Sequence, residues 1–115
     1  MSVAPQITVA SSEVHEDRFS RLRLIPWWNQ EKIRETRVMV VGAGALGNEI
    51  LKNLALLGFQ RVIIVDLDRI EESNLSRTVL YRSNDVGEFK ANAAARSFRE
   101  LASDATVHPL AVAAF

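Results

Sequence analysis

Three glycines and one acid carry the clearest chemical signal in this sequence. Gly42-x-Gly44-x-x-Gly47 follows the apolar run Val38–Val41 and opens a stretch with helical periodicity. Each glycine has a mechanical task in such a turn. Gly42 permits the tight bend, Gly44 lets a phosphate approach the backbone, and Gly47 lets the helix lie close to the strand. The helix N-terminus offers free N–H groups and a partial positive charge to an anion. Asp66 lies 19 residues past Gly47, at the end of a second apolar run, where a carboxylate accepts hydrogen bonds from ribose hydroxyls. No GK[ST] follows the glycines, so the loop is not a Walker A loop. The motif points to a dinucleotide or an adenine nucleotide and does not choose between them. The alternative is a glycine-rich turn that binds nothing, with Asp66 as a cap.

These residues need a strand, a helix and a second strand to hold them. Val38–Val41 and Val62–Val65 are unbroken apolar runs, the habit of parallel strands buried on both faces. Between them Ile50, Leu51, Leu54, Ala55 and Leu57 fall at helical spacing, predicting a helix over Asn48–Leu57 with Gly58 as its C-terminal cap. A long polar loop follows, with a helical turn predicted near Glu72–Arg77. Alanine-rich Glu88–Ala102 predicts a helix and Thr106–Val112 a third strand, with Pro109 best suited to its start or to an edge. Upstream, residues 1–15 read as a flexible arm and Glu13–Leu24 as a short helix ended by Pro26. Trp27 and Trp28 come next, then a polar helical turn or two over Asn29–Arg34. The fold class is α/β: a Rossmann-like βαβ half with a parallel sheet behind an N-terminal helical segment. Three strands are fewer than the five or six usual in a doubly wound sheet, so a larger domain is expected, with apolar faces left to cover.

The 115 residues carry 14 Lys+Arg against 14 Asp+Glu, so the charge balance points to neither nucleic acid nor membrane as partner. With no cysteine, a disulfide scaffold, a thiolate zinc site and a cysteine nucleophile are excluded within these residues. His15 and His108 are far apart and read as ordinary residues, so no metal ligand is expected here. A cytoplasmic protein is expected.

The segment after Asp66 is more specific. Asp66-Leu67-Asp68-Arg69-Ile70-Glu71-Glu72-Ser73-Asn74-Leu75-Ser76-Arg77 is followed by Asp85-Val86-Gly87-Glu88-Phe89-Lys90. With the glycine loop these blocks resemble the ubiquitin-activating superfamily in its ThiF/MoeB/HesA branch, over roughly residues 17–112. Arg18-Phe19-Ser20-Arg21 and Gln30 resemble its upstream elements. Two departures are mild: Thr78 follows Arg77 where the family usually has Gln, and Ala45 follows Gly44 where it often has Gly.

The resemblance implies an ATP-dependent adenylyltransferase acting on the C-terminal carboxylate of a ubiquitin-like or sulfur-carrier protein. Residues 16–115 would be the N-terminal part of its adenylation domain. Asn74, Arg77 and Lys90 would contact ATP phosphates, Asp66 the ribose, and Asp68 would steady the loop. Arg21 would reach the β- and γ-phosphates of the other subunit's ATP in a homodimer. The family's Mg²⁺-binding aspartate, its zinc cysteines and any thioester cysteine are expected beyond Phe115. Two other readings stay open: an NAD-dependent oxidoreductase on the same half-fold, and a non-catalytic subunit of an activating enzyme.

Overall fold

The computed structural model describes residues 17–113. They divide into two compact units, one ending at Gln30 and the other beginning at Glu31. The expected arm over residues 1–15 and His15 lie outside the described residues.

In the first unit the expected helix over Glu13–Leu24 is, where described, a turn followed by a 3₁₀ helix at Leu22–Leu24. Asp17 explains the turn. Its carboxylate accepts the Phe19 N–H and both oxygens take Arg23 Nη1 at 2.8 Å, a competition with helical bonding typical of Asp. Ile25 is extended (ψ 118°) ahead of Pro26, as the ring of a proline requires. Trp27 is exposed, and the Trp28 indole N–H donates to Gln30 Oε1 at 2.8 Å. The expected helical turn or two over Asn29–Arg34 is the short helix α1 (Gln30–Glu35), which begins the second unit from Glu31 onward.

The second unit continues β1 (Arg37–Val41), α2 (Ala45–Leu57), β2 (Arg61–Val65), α3 (Lys90–Leu101), β3 (Thr106–Leu110), with 3₁₀ turns at Glu72–Ser76 and Ser83–Asp85. The three strands form a parallel sheet in the order β1-β2-β3. Both crossovers step the same way along the sheet, and right-handed crossovers then place both helices on one face. That face buries Val40, Val62, Ile64 and Val107 against Leu51 and Ala55 of α2 and Ala94 and Phe98 of α3. Full burial of a side chain such as Leu51, Ile64 or Phe98 stabilises by about 1.5–3 kcal/mol each.

The opposite face is partly bare, as expected of a half-sheet with apolar faces left to cover. Met39 is 59% exposed and Val41 54%, because neither helix reaches that side. Pro109 sits in β3 at the sheet edge, where its missing N–H costs no ladder bond to a further strand. Gly58 ends α2 at φ 92°, and the Phe59 N–H closes back on the Leu54 carbonyl at 3.0 Å, as the sequence predicts. The helix starts at Ala45, three residues before the periodic run.

Candidate functional site

The glycine loop joins β1 to α2. Gly42 has φ 98°, and its N–H donates to the Val65 carbonyl at 2.8 Å, tying the loop to the end of β2. A Cβ on Gly47 would lie 2.0 Å from the Gly42 carbonyl oxygen, so helix and strand touch there through backbone alone. A Cβ on Gly44 would meet nothing within 4 Å. The space over Gly44 is therefore open, and the N-terminus of α2 beside it has no side-chain cap. Such a cradle with uncapped N–H groups suits a phosphate.

Side chains hold the Ala43 peptide from three directions. Asp66 Oδ2 accepts the Ala43 N–H at 2.7 Å, and Asp66 Oδ1 accepts the Asp68 N–H at 2.7 Å. The Ala43 carbonyl accepts from Asn48 Nδ2 at 2.9 Å and from the Tyr81 hydroxyl at 2.5 Å. Asn48, wholly buried, also donates to the Gly44 carbonyl and accepts the Leu80 N–H at 2.9 Å. Burial pushes the Tyr81 hydroxyl up to about 12, with the Asp66 and Asp85 charges adding to the rise, so it remains a donor at neutral pH. Asp66 is thus an internal fastener. Each of its oxygens has accepted one N–H and retains a lone pair for another donor.

Beyond Asp66 the chain forms a short antiparallel ribbon. Arg69 pairs with Phe89, the Ile70 N–H donates to the Glu88 carbonyl, and the Lys90 N–H donates to the Asp68 carbonyl at 2.8 Å. Arg69 lies over the Phe89 ring, 4.0 Å from its centroid, and donates to the Gly87 carbonyl. Gly87, at φ 93°, makes the bend. The ribbon sets Lys90, the first residue of α3, next to Asp68. Asp85 caps its 3₁₀ turn and pairs with Arg96, which also grips Glu88.

Three hollows that share lining residues lie here. One of about 310 Å³ is lined by the glycine loop, with Gly42, Gly44 and Gly47. The next, about 270 Å³, shares Gly42 and adds Asp66 and Asp68. The third, about 290 Å³, shares Asp68 and adds Arg69, Glu71, Asn74 and Lys90. Seven of the nine residues expected at the site are thereby brought together: Gly42, Gly44, Gly47, Asp66, Asp68, Asn74 and Lys90. Asn74 also carries structure, its Oδ1 accepting the Glu71 N–H at 2.8 Å in a reciprocal cap. Arg77 is exposed and donates from Nη1 to the Ser73 carbonyl at 3.1 Å, outside the lining of these hollows. Thr78, where the family usually has Gln, is buried and donates to the Asn74 carbonyl. Among the described residues neither Arg77 nor Lys90 is paired with a carboxylate. Arg21 lies exposed in the N-terminal unit, at the start of its 3₁₀ turn. A further hollow, about 500 Å³, lies at the other end of the strands by Arg37, Arg61 and Thr106 and holds none of the expected residues.

Sequence reasoning missed Asn48 and Tyr81. The signal for Asn48 was a polar residue in the first turn of the helix, directly after the glycines. Tyr81 had no local signal, because its partner is 38 residues away.

Residues 16–114 match the ThiF family. The chain belongs to that family. Among relatives of this ThiF-family chain, the NEDD8-activating enzyme E1 catalytic subunit of Caenorhabditis elegans is 47% identical over 76 residues, which is 62% of this chain and 18% of the relative. The sulfur carrier protein adenylyltransferase of Thermus thermophilus is 43% identical over 88 residues, 74% of this chain and 32% of the relative. The crystal structure of E. coli MccB with AMPCPP and MccA superimposes with a TM-score of 0.82 at 30% identity, covering 90% of this chain and 32% of that one. The chain thus spans between about a fifth and a third of the length of these proteins. Rossmann-like α/β architecture and membership in a group of adenylylating and modifier-activating enzymes agree with the sequence reading.

Among the described residues no group of three His, Cys, Asp or Glu side chains could hold a metal ion, and no helix is long and apolar enough to cross a membrane.

Proposed function

We propose that the protein is an ATP-dependent adenylyltransferase which activates the C-terminal carboxylate of a ubiquitin-like or sulfur-carrier protein. A carboxylate oxygen attacks the α-phosphorus of ATP, the bond to the bridging oxygen of the β-phosphate breaks, and pyrophosphate leaves. The products are an acyl-adenylate and pyrophosphate. Catalysis of this kind is mostly positioning and charge neutralisation on the leaving phosphates.

The observation that carries the reading is the run of hollows joining the open cradle at Gly44 to Lys90 through Asp68. Asp66 takes the ribose hydroxyls on its remaining lone pairs, and the amides after Gly44 take phosphate oxygens. Lys90 neutralises the departing pyrophosphate, and Asn74 offers its amide nitrogen. Arg77 joins them by leaving the Ser73 carbonyl, since a charged phosphate is the better acceptor. Asp68 steadies the loop. Mg²⁺ accompanies the triphosphate, its main ligand supplied from outside the described residues, as is any zinc site. A cytoplasmic homodimer in which Arg21 reaches the partner's ATP completes the reading. It is supported by the exposure of Arg21.

Hydride transfer with NAD uses the same glycine loop but has no need of Lys90, Asn74 and Arg77 around phosphates. The test is exchange of labelled pyrophosphate into ATP, with a carrier protein ending in Gly-Gly as acceptor. Acceptor-dependent exchange is expected. Its absence, with ATP bound and acceptor saturating, overturns the adenylation reading.

A further inference from the structure

Leu80 and Tyr81 are clamped between the two long helices. The Leu80 N–H donates to Asn48 Oδ1 of α2, and the Leu80 carbonyl accepts from Ser97 Oγ of α3 at 2.6 Å. This clamp presents the buried Tyr81 hydroxyl to two backbone carbonyls at once. One is Ala43 in the glycine loop, at 2.5 Å; the other is Lys90 at the start of α3, at 3.4 Å. A single hydroxyl proton serves the shorter contact chiefly and the longer one weakly.

We propose that Tyr81 is a positioning residue whose hydroxyl fixes the Ala43–Gly44 peptide plane and sets the spacing between the glycine loop and the lysine of α3. The inference rests on the reading of these two elements as a phosphate site. Two peptide planes meet at the Ala43 Cα. Asp66 holds the Gly42–Ala43 plane by its N–H, and Asn48 and Tyr81 hold the Ala43–Gly44 plane by its carbonyl. Rotation of that plane would turn the following N–H groups away from the open space over Gly44. Asn48 reaches the loop and Leu80, whereas Tyr81 hydrogen-bonds both the loop and the first turn of α3. Its burial makes the contact dry and therefore directional.

The test is Tyr81→Phe, which keeps the ring and leaves Asn48 on the Ala43 carbonyl, so the fold persists. Two measurements are made: amide exchange by NMR at Ala43, with Ile64 as internal reference, and binding of ATP and of adenosine. The expected result is roughly tenfold faster exchange at Ala43 with Ile64 unchanged: once the Tyr81 bond to its carbonyl is lost, the adjoining plane loosens and the Ala43 N–H opens from Asp66 more often, on the scale of one hydrogen bond. ATP affinity falls by a similar factor while adenosine affinity holds, because adenosine carries nothing for the loop to align. Unchanged exchange at Ala43 overturns the proposal whatever the nucleotide does. Faster exchange with unchanged ATP affinity overturns it too, as does parallel loss of ATP and adenosine binding. Wild-type protein that binds no ATP removes the phosphate reading itself, and the exchange rates still decide whether Tyr81 fixes the loop.

Discussion

Gly47→Ala is expected to destabilise the protein by about 3 kcal/mol or more, the upper range for overpacking, while Gly44→Ala leaves its stability within about 0.5 kcal/mol. The two glycines belong to one motif and differ in what surrounds them. A methyl at position 47 would overlap the Gly42 carbonyl oxygen at 2.0 Å, and that oxygen is backbone at a fixed bend. Relief requires α2 to move off β1, which opens the packing around Leu51 and Val40 and breaks the Asn48 contacts to the loop. A methyl at position 44 meets no atom, and φ −80° suits alanine. That methyl occupies the space assigned to a phosphate, so Gly44→Ala should weaken ATP binding by about tenfold or more, some 1.4 kcal/mol. Denaturant unfolding and nucleotide titration on both variants check the pair. A stable Gly47→Ala protein would mean that the loop relaxes more easily than its contacts allow, and unimpaired ATP binding by Gly44→Ala would move the phosphate elsewhere.

Lys90→Ala should lower ATP–pyrophosphate exchange by about tenfold to over a hundredfold, the worth of one charge-assisted contact of roughly 1.5–3 kcal/mol. The thermal midpoint should hardly move, because Lys90 contributes its backbone N–H, not its side chain, to the Asp68 ribbon. Arg77→Ala should fall in the same range but at its lower end. The Arg77 side chain now rests on the Ser73 carbonyl and must exchange that bond for a phosphate, so the net gain is smaller. Stopped exchange assays beside melting curves decide. If both variants exchange pyrophosphate at the wild-type rate, the two cations are solvated surface charges.

The βαβ unit was legible because its signals are local. Unbroken β-branched runs, a glycine triplet and an αL glycine at position 58 each dictate their own conformation. What the strings of apolar residues could not convey was sidedness. Met39 and Val41 are as apolar as Val40, yet the direction of both crossovers puts them on the face the helices do not cover. The Glu13–Leu24 helix misread Asp17, whose side chain competes for the backbone N–H groups a helix would use. At the site, Asp66 and Lys90 stand out by motif. Their placement depends on long-range contacts no short window contains: Asp66 to Ala43, Tyr81 to Ala43, and the Asp68–Lys90 ribbon. Asn74 shows the converse. It stands out by motif as a ligand donor, and it also caps its own 3₁₀ turn, so its type answers to two demands.

The central claim is that this loop, acid and lysine serve ATP. Calorimetric titration of the protein with ATP and Mg²⁺, and separately with NAD, tests it most directly. The account predicts tighter binding of ATP than of NAD, with the preference reduced in Lys90→Ala because the triphosphate loses its cation. Tighter binding of NAD, unaffected by Lys90→Ala, would contradict it.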